Sequence, residues 1–262
     1  MIRGLYTAST GMNAQQHQID VTSNNIANVN TTAFKKDRAE FQDLMYEALN
    51  YTGGTTSEIT TNPTGIDVGL GTRVAGIQKN FLQGNMKETG NPLDMAVEGK
   101  GFFTVVKPDG EIGYTRNGAF KVDAEGGIVN GQGFRLQPEI IIPNNVVNIS
   151  IGEDGIVAGI DAGTGQAVNL GQITLTDFVN PAGLQPDGNS LYMASPTSGD
   201  PIEGNPGLDG MGGIRQGMLE SSNVKLVSEM VDLITAQRAY EANSKSISTT
   251  DEMLDIVNRL KR

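Results

Sequence analysis

The N-terminal part of the fold is decided by the stretch Ser23-Asn24-Asn25-Ile26-Ala27-Asn28-Val29-Asn30-Thr31-Thr32-Ala33-Phe34-Lys35. It follows a segment in which apolar residues recur every seven positions, at Leu5, Met12, Ile19 and Ile26. A second row at the same interval contains Ala8, Gln15, Thr22 and Val29. A seven-residue apolar repeat is typical of a helix that packs lengthwise against other helices. Because Asn is a weak helix former that satisfies loose backbone groups, the Asn cluster favours its end. The sequence therefore predicts a helix over residues 3–30.

A matching repeat occurs at the other end of the chain, after the cap cluster at 221–223. Its members lie every seven residues, at Leu226, Leu233, Tyr240, Ile247 and Leu254. The position four residues after a heptad residue becomes polar at Gln237, Ser244 and Asp251, whereas a two-helix zipper would keep both rows apolar. A narrow apolar row with polar flanks favours a helix that touches several neighbours in a bundle. We call the nine apolar positions the heptad seam: Leu5, Met12, Ile19, Ile26, Leu226, Leu233, Tyr240, Ile247 and Leu254.

The terminal helices are not expected to be stable alone. A few apolar side chains in each do not offset the entropy lost when a long segment is ordered, and isolated helices are marginal in water. We therefore expect the tails to be disordered in a free monomer and to fold against neighbouring subunits.

The charge of the chain is concentrated in its middle. The 262 residues carry a formal net charge of −11, and residues 39–221 hold 22 acidic and nine basic groups. This balance argues against nucleic-acid binding, which needs a basic face. There is no cysteine, so disulfides and thiolate metal sites are excluded, while both a reducing compartment and an exported protein stay open. The N-terminus lacks the pattern of a cleaved secretory signal, and no apolar run is long enough for membrane insertion.

Two segments with different sequence patterns follow the N-terminal region. Residues 36–50 predict a short helix with one apolar face, formed by Phe41, Leu44, Met45, Ala48 and Leu49. Residues 51–71 contain many Gly and Thr and almost no apolar side chain before Ile66, which predicts an extended arm, either a loop or a hairpin.

From residue 72 to 210 the sequence indicates antiparallel strands. Runs such as Gly101-Phe102-Phe103-Thr104-Val105-Val106 alternate with turn pairs such as Asp109-Gly110 and Asn117-Gly118. Segments 140–142, 146–151 and 173–176 extend the sheet, whereas 180–213 is predicted to be loop-like. The fold class is therefore α+β: terminal helices form a coiled-coil-like inner domain, and a discontinuous, mainly antiparallel β domain lies outside it, with an extended arm. The predicted divisions are a terminal helical domain (1–35 and 222–262), a connecting region with the arm (36–75 and 205–221), and a β-rich domain (76–204).

Candidate catalytic residues are few. The acidic pairs Asp109/Glu111 and Glu153/Asp154 have the chemistry that glycoside hydrolysis requires, but they lie in Gly-rich turns where solvated carboxylates are common. The single His17 lies in a polar run, and no metal-ligand or phosphate-loop spacing is present. We expect no enzyme activity and no cofactor, with a cell-wall glycan hydrolase as the distant alternative.

Several motifs resemble those of the bacterial flagellar rod and hook proteins. The stretch from Ser23 to Thr31 is similar to their N-terminal motif, and Arg238-Ala239-Tyr240-Glu241-Ala242-Asn243-Ser244-Lys245 to their C-terminal one. Leu93 to Phe103 and Tyr114 to Phe120 resemble the body of the longer members. The residues of this chain that match the terminal motifs are Asn24, Asn25, Asn28, Arg238, Tyr240 and Asn243. Overall length and the predicted arm favour the distal rod within this family, and the alternatives are a proximal rod or hook subunit.

The resemblance implies a structural subunit that polymerises with itself into a hollow tube lined by the terminal helices. It implies a rigid drive shaft that transmits torque from motor to hook, with a bore that serves as the export channel. The expected partners are the proximal rod proteins, the hook protein, the surrounding flagellar ring proteins and the type III export apparatus. The expected location is the basal body in the periplasm, reached without cleavage of a signal peptide.

Overall fold

The computed structural model describes residues 2–50, 64–163, 165–208 and 210–260. The chain folds into two compact units. The helical unit comprises residues 1–27, 37–79 and 225–262, and the β unit comprises residues 28–36 and 80–224. Helices at the two ends and mainly antiparallel sheets between them confirm the α+β class. The three divisions predicted from the sequence were defined by expected roles in an assembly and not by contacts within one chain, and they stay predictions.

Two long helices dominate the helical unit: α1 (Ile2–Ala27) and α2 (Leu226–Leu260). Helix α1 ends three residues before the predicted boundary, because the chain turns at residues 28–30. The helices pack antiparallel, since Gly11 lies against Asn243 while Asn25 contacts Glu229. That these helices are disordered in a free monomer stays a prediction. Neither helix combines the length and apolarity that a membrane crossing requires.

Small residues let α1 pack closely. Its buried positions include Ala8, Ala14 and Val21, and α2 buries Ala236. A Cβ atom added to Gly11 would lie only 2.8 Å from Asn243 Nδ2. The buried positions of the helix pair are therefore filled largely by small and polar side chains, and bulky aliphatic residues are scarce there.

The helix predicted over 36–50 is wrong. This segment forms β1 (Asp37–Asp43) and β2 (Tyr46–Asn50). They pair antiparallel with β4 (Thr72–Lys79) and β3 (Ile66–Gly69), respectively. Backbone bonds Leu44 N–H to Gly71 O and Leu70 N–H to Met45 O continue the pairing between the two ladders.

The reason is that backbone pairing with a distant segment outweighs local helical periodicity. The residues assigned to an apolar helix face do not share a buried side, and Met45 is 83% exposed. The predicted arm falls largely on residues 51–63, which lie outside the described residues, so the arm remains a prediction between the paired flanks.

The β unit contains sixteen short strands in its described residues. In chain order they are β5 (Met86–Glu88), β6 (Met95–Glu98), β7 (Phe102–Val106), β8 (Ile112–Thr115), β9 (Lys121–Val122), β10 (Ile128–Val129), β11 (Arg135–Gln137), β12 (Val146–Ile151), β13 (Ile156–Asp161), β14 (Ala167–Gln172), β15 (Leu175–Asp177), β16 (Gln185–Gly188), β17 (Leu191–Met193), β18 (Ile202–Gly204), β19 (Gly213–Gln216) and β20 (Met218–Glu220).

Strand β7 organises the largest sheet among the described residues. The order is β16-β17-β8-β7-β11-β10-β9, and β15 pairs with both β7 and β18. Because alternate side chains of a strand point to opposite faces, Phe103 enters the main core with Met95 and Phe120, while Phe102 enters an aromatic cluster with Phe178. Smaller sheets are β12-β13-β14, β19-β6 and β20-β5.

One strand prediction and one loop prediction in this unit are corrected. Segment 140–142 makes only an isolated bridge, between Ile141 and Gly127. The region 180–213 is not simply a loop, because it contains β16, β17 and β18. Its Gly and Pro content favours loops, but short strands form there because β17 pairs with β8 and β18 pairs with β15.

Candidate functional site

In the helical unit, Asn25 connects three elements. It is 2% exposed, and its Nδ2 donates to the backbone oxygen of Asp37 at 2.9 Å and to Glu229 Oε2 at 3.1 Å. Its Oδ1 accepts the backbone N–H of Asp37 at 2.9 Å. The side chain therefore pairs with the start of β1 as another strand would, and it also holds the first turn of α2. Buried backbone and carboxylate groups need such partners.

The neighbouring charges complete this arrangement. Lys79 Nζ donates to Asp37 Oδ1 at 2.8 Å, and both side chains are largely buried. Asn24, which is exposed, lies 3.4 Å from Asp37 Oδ2. The motif residues Asn24 and Asn25 thus meet the same aspartate, but only Asn25 is buried.

In the β unit, Asn28 shapes the turn that precedes residues 31–36. Its Oδ1 accepts the Thr31 hydroxyl at 3.0 Å, and its backbone oxygen accepts the Thr31 N–H at 3.1 Å. Ala33 has a φ of +57° and is buried, and its N–H donates to Glu220 O at 2.8 Å. Lys36 N–H donates to Asn223 Oδ1 at 2.8 Å. These bonds join the segment 28–36 to the segment that follows β20.

Beneath this turn lies a buried ionic cluster of Lys35, Glu220 and Arg116. Lys35 Nζ donates to Glu220 Oε1 at 2.6 Å, and Gly84 N–H donates to the same oxygen at 2.7 Å. Arg116 NH1 lies 4.0 Å from Glu220 Oε2. The guanidinium also donates to Gly99 O at 2.7 Å.

Burial shifts the pKa of both basic side chains in the cluster. It lowers the pKa of Lys35, although the charge and hydrogen bond of Glu220 oppose the shift. It also lowers the pKa of Arg116, again against the attraction of Glu220. Glu220 is therefore the group that most opposes the effect of burial on the pKa of both Lys35 and Arg116.

The sequence interpretation missed this cluster. Lys35 ends the Asn-rich stretch, Arg116 lies within the Tyr114–Phe120 motif, and Glu220 precedes the cap cluster at 221–223. The available signal was a single charge within an otherwise apolar or uncharged run, as in Met218-Leu219-Glu220, but Lys35 gave no such signal because Lys36 and Asp37 follow it. Only the structure shows which opposite charges meet.

The heptad seam lies in the helical unit, and its residues differ in exposure. Leu5, Met12, Ile19, Ile26, Leu233, Ile247 and Leu254 are half-buried, whereas Leu226 and Tyr240 are exposed. Of the C-terminal motif residues, Asn243 is half-buried beside Gly11 and Arg238 is exposed. Their role in polymerisation stays a prediction.

A second apolar surface lies on α2. Val227, Met230, Val231 and Ile234 follow one another at helical spacing and are all exposed, Val227 to 76%. We call these four residues the α2 apolar stripe. The buried residues in the described part of α2, Glu229 and Ala236, lie on the opposite side of the helix from the stripe.

Three of the four acidic residues considered for catalysis make ion pairs or hydrogen bonds within the β unit. Glu153 forms an ion pair with Arg215, and Glu111 lies 3.5 Å from Lys107 Nζ. Asp154 Oδ1 accepts the Ile156 N–H at 3.2 Å. His17 is exposed on α1. Across the described ranges, no group of His, Cys, Asp and Glu side chains is arranged to hold a metal ion.

Three family models match the chain. They describe the flagella basal body rod protein (residues 5–35), the flagellar hook protein FlgE/F/G D1 domain (96–159) and the flagellar basal body rod FlgEFG protein C-terminal (215–260). The flagellar basal-body rod protein FlgG of Borreliella burgdorferi is 47% identical to this chain, and the alignment covers 100% of both proteins. The chain belongs to the flagellar basal-body rod protein family.

Two proteins of Bacillus subtilis refine this placement within the family. Its FlgG is 39% identical to the chain, and its hook-basal body complex protein FlhP is 31% identical, each over 100% of both proteins. The chain is thus more similar to the FlgG member than to FlhP in the same organism. As in these relatives, it is a structural component of the flagellar basal-body rod and not an enzyme.

Proposed function

We propose that this chain is a subunit of the distal rod, which polymerises into a rigid hollow drive shaft. The terminal segments 1–35 and 222–262 would form the inner tube, and residues 76–204 the outer layer. The connecting segments 36–75 and 205–221, with the predicted arm, would add contacts between subunits. The tube transmits torque from the motor to the hook, and its bore is the export channel.

The partners of this proposed subunit are other copies of itself, the proximal rod proteins, the hook protein, the flagellar ring proteins and the type III export apparatus. The proposed place of assembly is the periplasm. These roles are supported by the similarity to FlgG over the full length. The greater identity to FlgG than to FlhP favours this rod member over its relatives.

The observation that carries the proposal is the α2 apolar stripe. Four exposed apolar side chains on one helix face cost free energy in water and gain it when covered. Meanwhile α2 packs on α1 largely through small and polar residues. The helix pair therefore leaves its strongest hydrophobic surface available for neighbouring subunits.

The test is self-assembly of the purified full chain, followed by sedimentation and electron microscopy. Val231→Asp places a charge in the stripe at a position 56% exposed in the single chain. Losing about 1.5 kcal/mol of burial per contact raises the critical concentration roughly tenfold or more. Gln237→Asp is the matched control, since it adds the same charge on α2 at an exposed polar position. Equal assembly of wild type and Val231→Asp, or no tubes from wild type, would contradict the proposal.

A further inference from the structure

The sheet β12-β13-β14 has one buried and one exposed face. Val157 is fully buried and Ile151 nearly so, and both belong to the main core of the β unit. Strand alternation places Ile156, Ala158 and Ile160 on the opposite face of β13. The register adds neighbours from both sides, because Ile160 pairs with Val147 of β12 and with Ala167 of β14.

This outer face carries no charge, and its part on β12 and β13 is mostly apolar, whereas on β14 the polar residues Asn169 and Gln172 pair with Ala158 and Ile156. Val147 is 46% exposed, Ile160 39% and Ile156 37%. The residue that pairs with Ala158 on β12 is Ser150, also uncharged. We call Val147, Ser150, Ile156, Ala158, Ile160 and Ala167 the outer sheet face.

The nearest carboxylates lie at the ends of the sheet. Asp154 lies in the β12–β13 turn and accepts the Ile156 N–H. Asp161, at the end of β13, accepts from the Gly163 N–H and from Asn145 Nδ2. An apolar centre with polar groups at its margin is the usual anatomy of a protein–protein contact.

The charge of the β unit indicates the partner. Residues 28–36 and 80–224 contain 17 acidic and nine basic side chains, a net charge of −8. Two copies of such a unit repel one another, and they can meet favourably only where no charge is buried. A basic partner would instead seek carboxylates, and the outer sheet face has none. The strand β14 at its edge also contains neither charge nor proline, the features that commonly protect a sheet edge.

We propose that the outer sheet face is a contact surface for a second copy of this chain. The inference rests on the proposed homopolymer and adds to it a contact between β units, separate from the helices. In the polymer this contact buries Val147, Ile156 and Ile160, so that neighbouring subunits are joined through their outer layers as well as through their inner ones.

The chain contains no cysteine, so a single Val147→Cys substitution provides a clean probe. The thiol is labelled with a maleimide in the monomer and in polymers assembled from the purified full chain alone, where only another copy can cover it. Asp109→Cys, at an exposed turn position after β7, is the matched control. Amide exchange of β13 in the monomer verifies that each variant is folded.

The expected result is a labelling rate for Val147→Cys that falls roughly tenfold or more on polymerisation, while Asp109→Cys is labelled equally in both states. Equal labelling of Val147→Cys in monomer and polymer overturns this contact and leaves the proposed function intact. Failure of the wild-type chain to polymerise overturns the proposed function, and this inference with it.

Discussion

Replacing Glu220 with Ala tests whether the ionic cluster holds the β unit together. The carboxylate accepts hydrogen bonds from Lys35 Nζ at 2.6 Å and from Gly84 N–H at 2.7 Å. Its other oxygen is the nearest anionic group to Arg116, at 4.0 Å. Glu220→Ala removes all three interactions and leaves two buried cations without their anion.

The magnitude follows from these contacts. Removing one partner of a buried ion pair costs about 3–5 kcal/mol. The lost hydrogen bond from Gly84 N–H is counted within this figure, because the same Glu220 oxygen makes both interactions. We expect a loss of about 4 kcal/mol, which corresponds to roughly a thousandfold change in the unfolding equilibrium. Lys35→Met should cost less, because Glu220 keeps Gly84 and Arg116. The double variant Lys35→Met/Glu220→Ala should lose less than the two single losses together, by about 0.5–3 kcal/mol.

Native-state amide exchange on β7 provides the assay, because the slowest core amides report unfolding of the whole unit. Glu98→Ala is the control, since Glu98 forms an exposed ion pair with Arg215 at 2.7 Å and its removal should leave β7 exchange close to wild type. A loss below about 1 kcal/mol for Glu220→Ala, or strict additivity in the double variant, would refute the reasoning.

Two predictions concern the helical unit, and both are measured on the assembled polymer, because the terminal helices are expected to be disordered in the free monomer. Asn25→Ala should destabilise it by about 2–3 kcal/mol in urea unfolding, because the Asp37 backbone loses two hydrogen bonds and the buried Glu229 loses one. Asn24→Ala, which removes a 3.4 Å contact of an exposed side chain, should cost less, and similar losses for both would contradict the role of Asn25. Gly4→Ala should raise the thermal stability of the helices by about 0.5–1 kcal/mol, since nothing lies within 4 Å of the new Cβ. Gly11→Ala should lose that gain because its Cβ meets Asn243 Nδ2 at 2.8 Å, and an equal gain at both positions would show that the helices are not closely packed there.

Features that depend on local pattern could be predicted from the sequence. The heptad spacing predicted both helices, and the Asn cluster after Ala27 predicted where α1 ends within three residues. Turn pairs such as Asp109-Gly110 predicted hairpins, because Gly110 adopts a φ of +82° that most side chains disfavour. Strand β12 was predicted with its observed bounds, since a β-branched run between turn residues leaves few alternatives.

Features that depend on distant partners could not be predicted. Residues 41–49 have a helix-like apolar spacing, but residues 37–43 pair with residues 72–79 and residues 46–50 pair with residues 66–69, and that pairing decides the structure. The meeting of Lys35 with Glu220 joins positions 185 residues apart in the chain. A single sequence shows that such charges exist and does not show which of them share a buried site. The Asn-rich stretch predicts the end of a helix, and the structure adds that the Asn25 side chain pairs with the backbone N–H and oxygen of Asp37 at the start of β1.

The chemistry of these contacts separates what the chain does by itself from what it does in an assembly. Within the chain, α1 meets α2 through residues such as Ala14, Gly11 and Asn25, which give close approach and directional hydrogen bonds but little buried apolar area. The four bulky side chains of the α2 apolar stripe, including Val231, remain exposed. Since hydrophobic stabilisation grows with the apolar area that is covered, we expect the helix pair to gain more from neighbouring subunits than from its own packing. In the proposed polymer, polar contacts within the chain would fix how each subunit is arranged, and hydrophobic contacts between subunits would stabilise that arrangement.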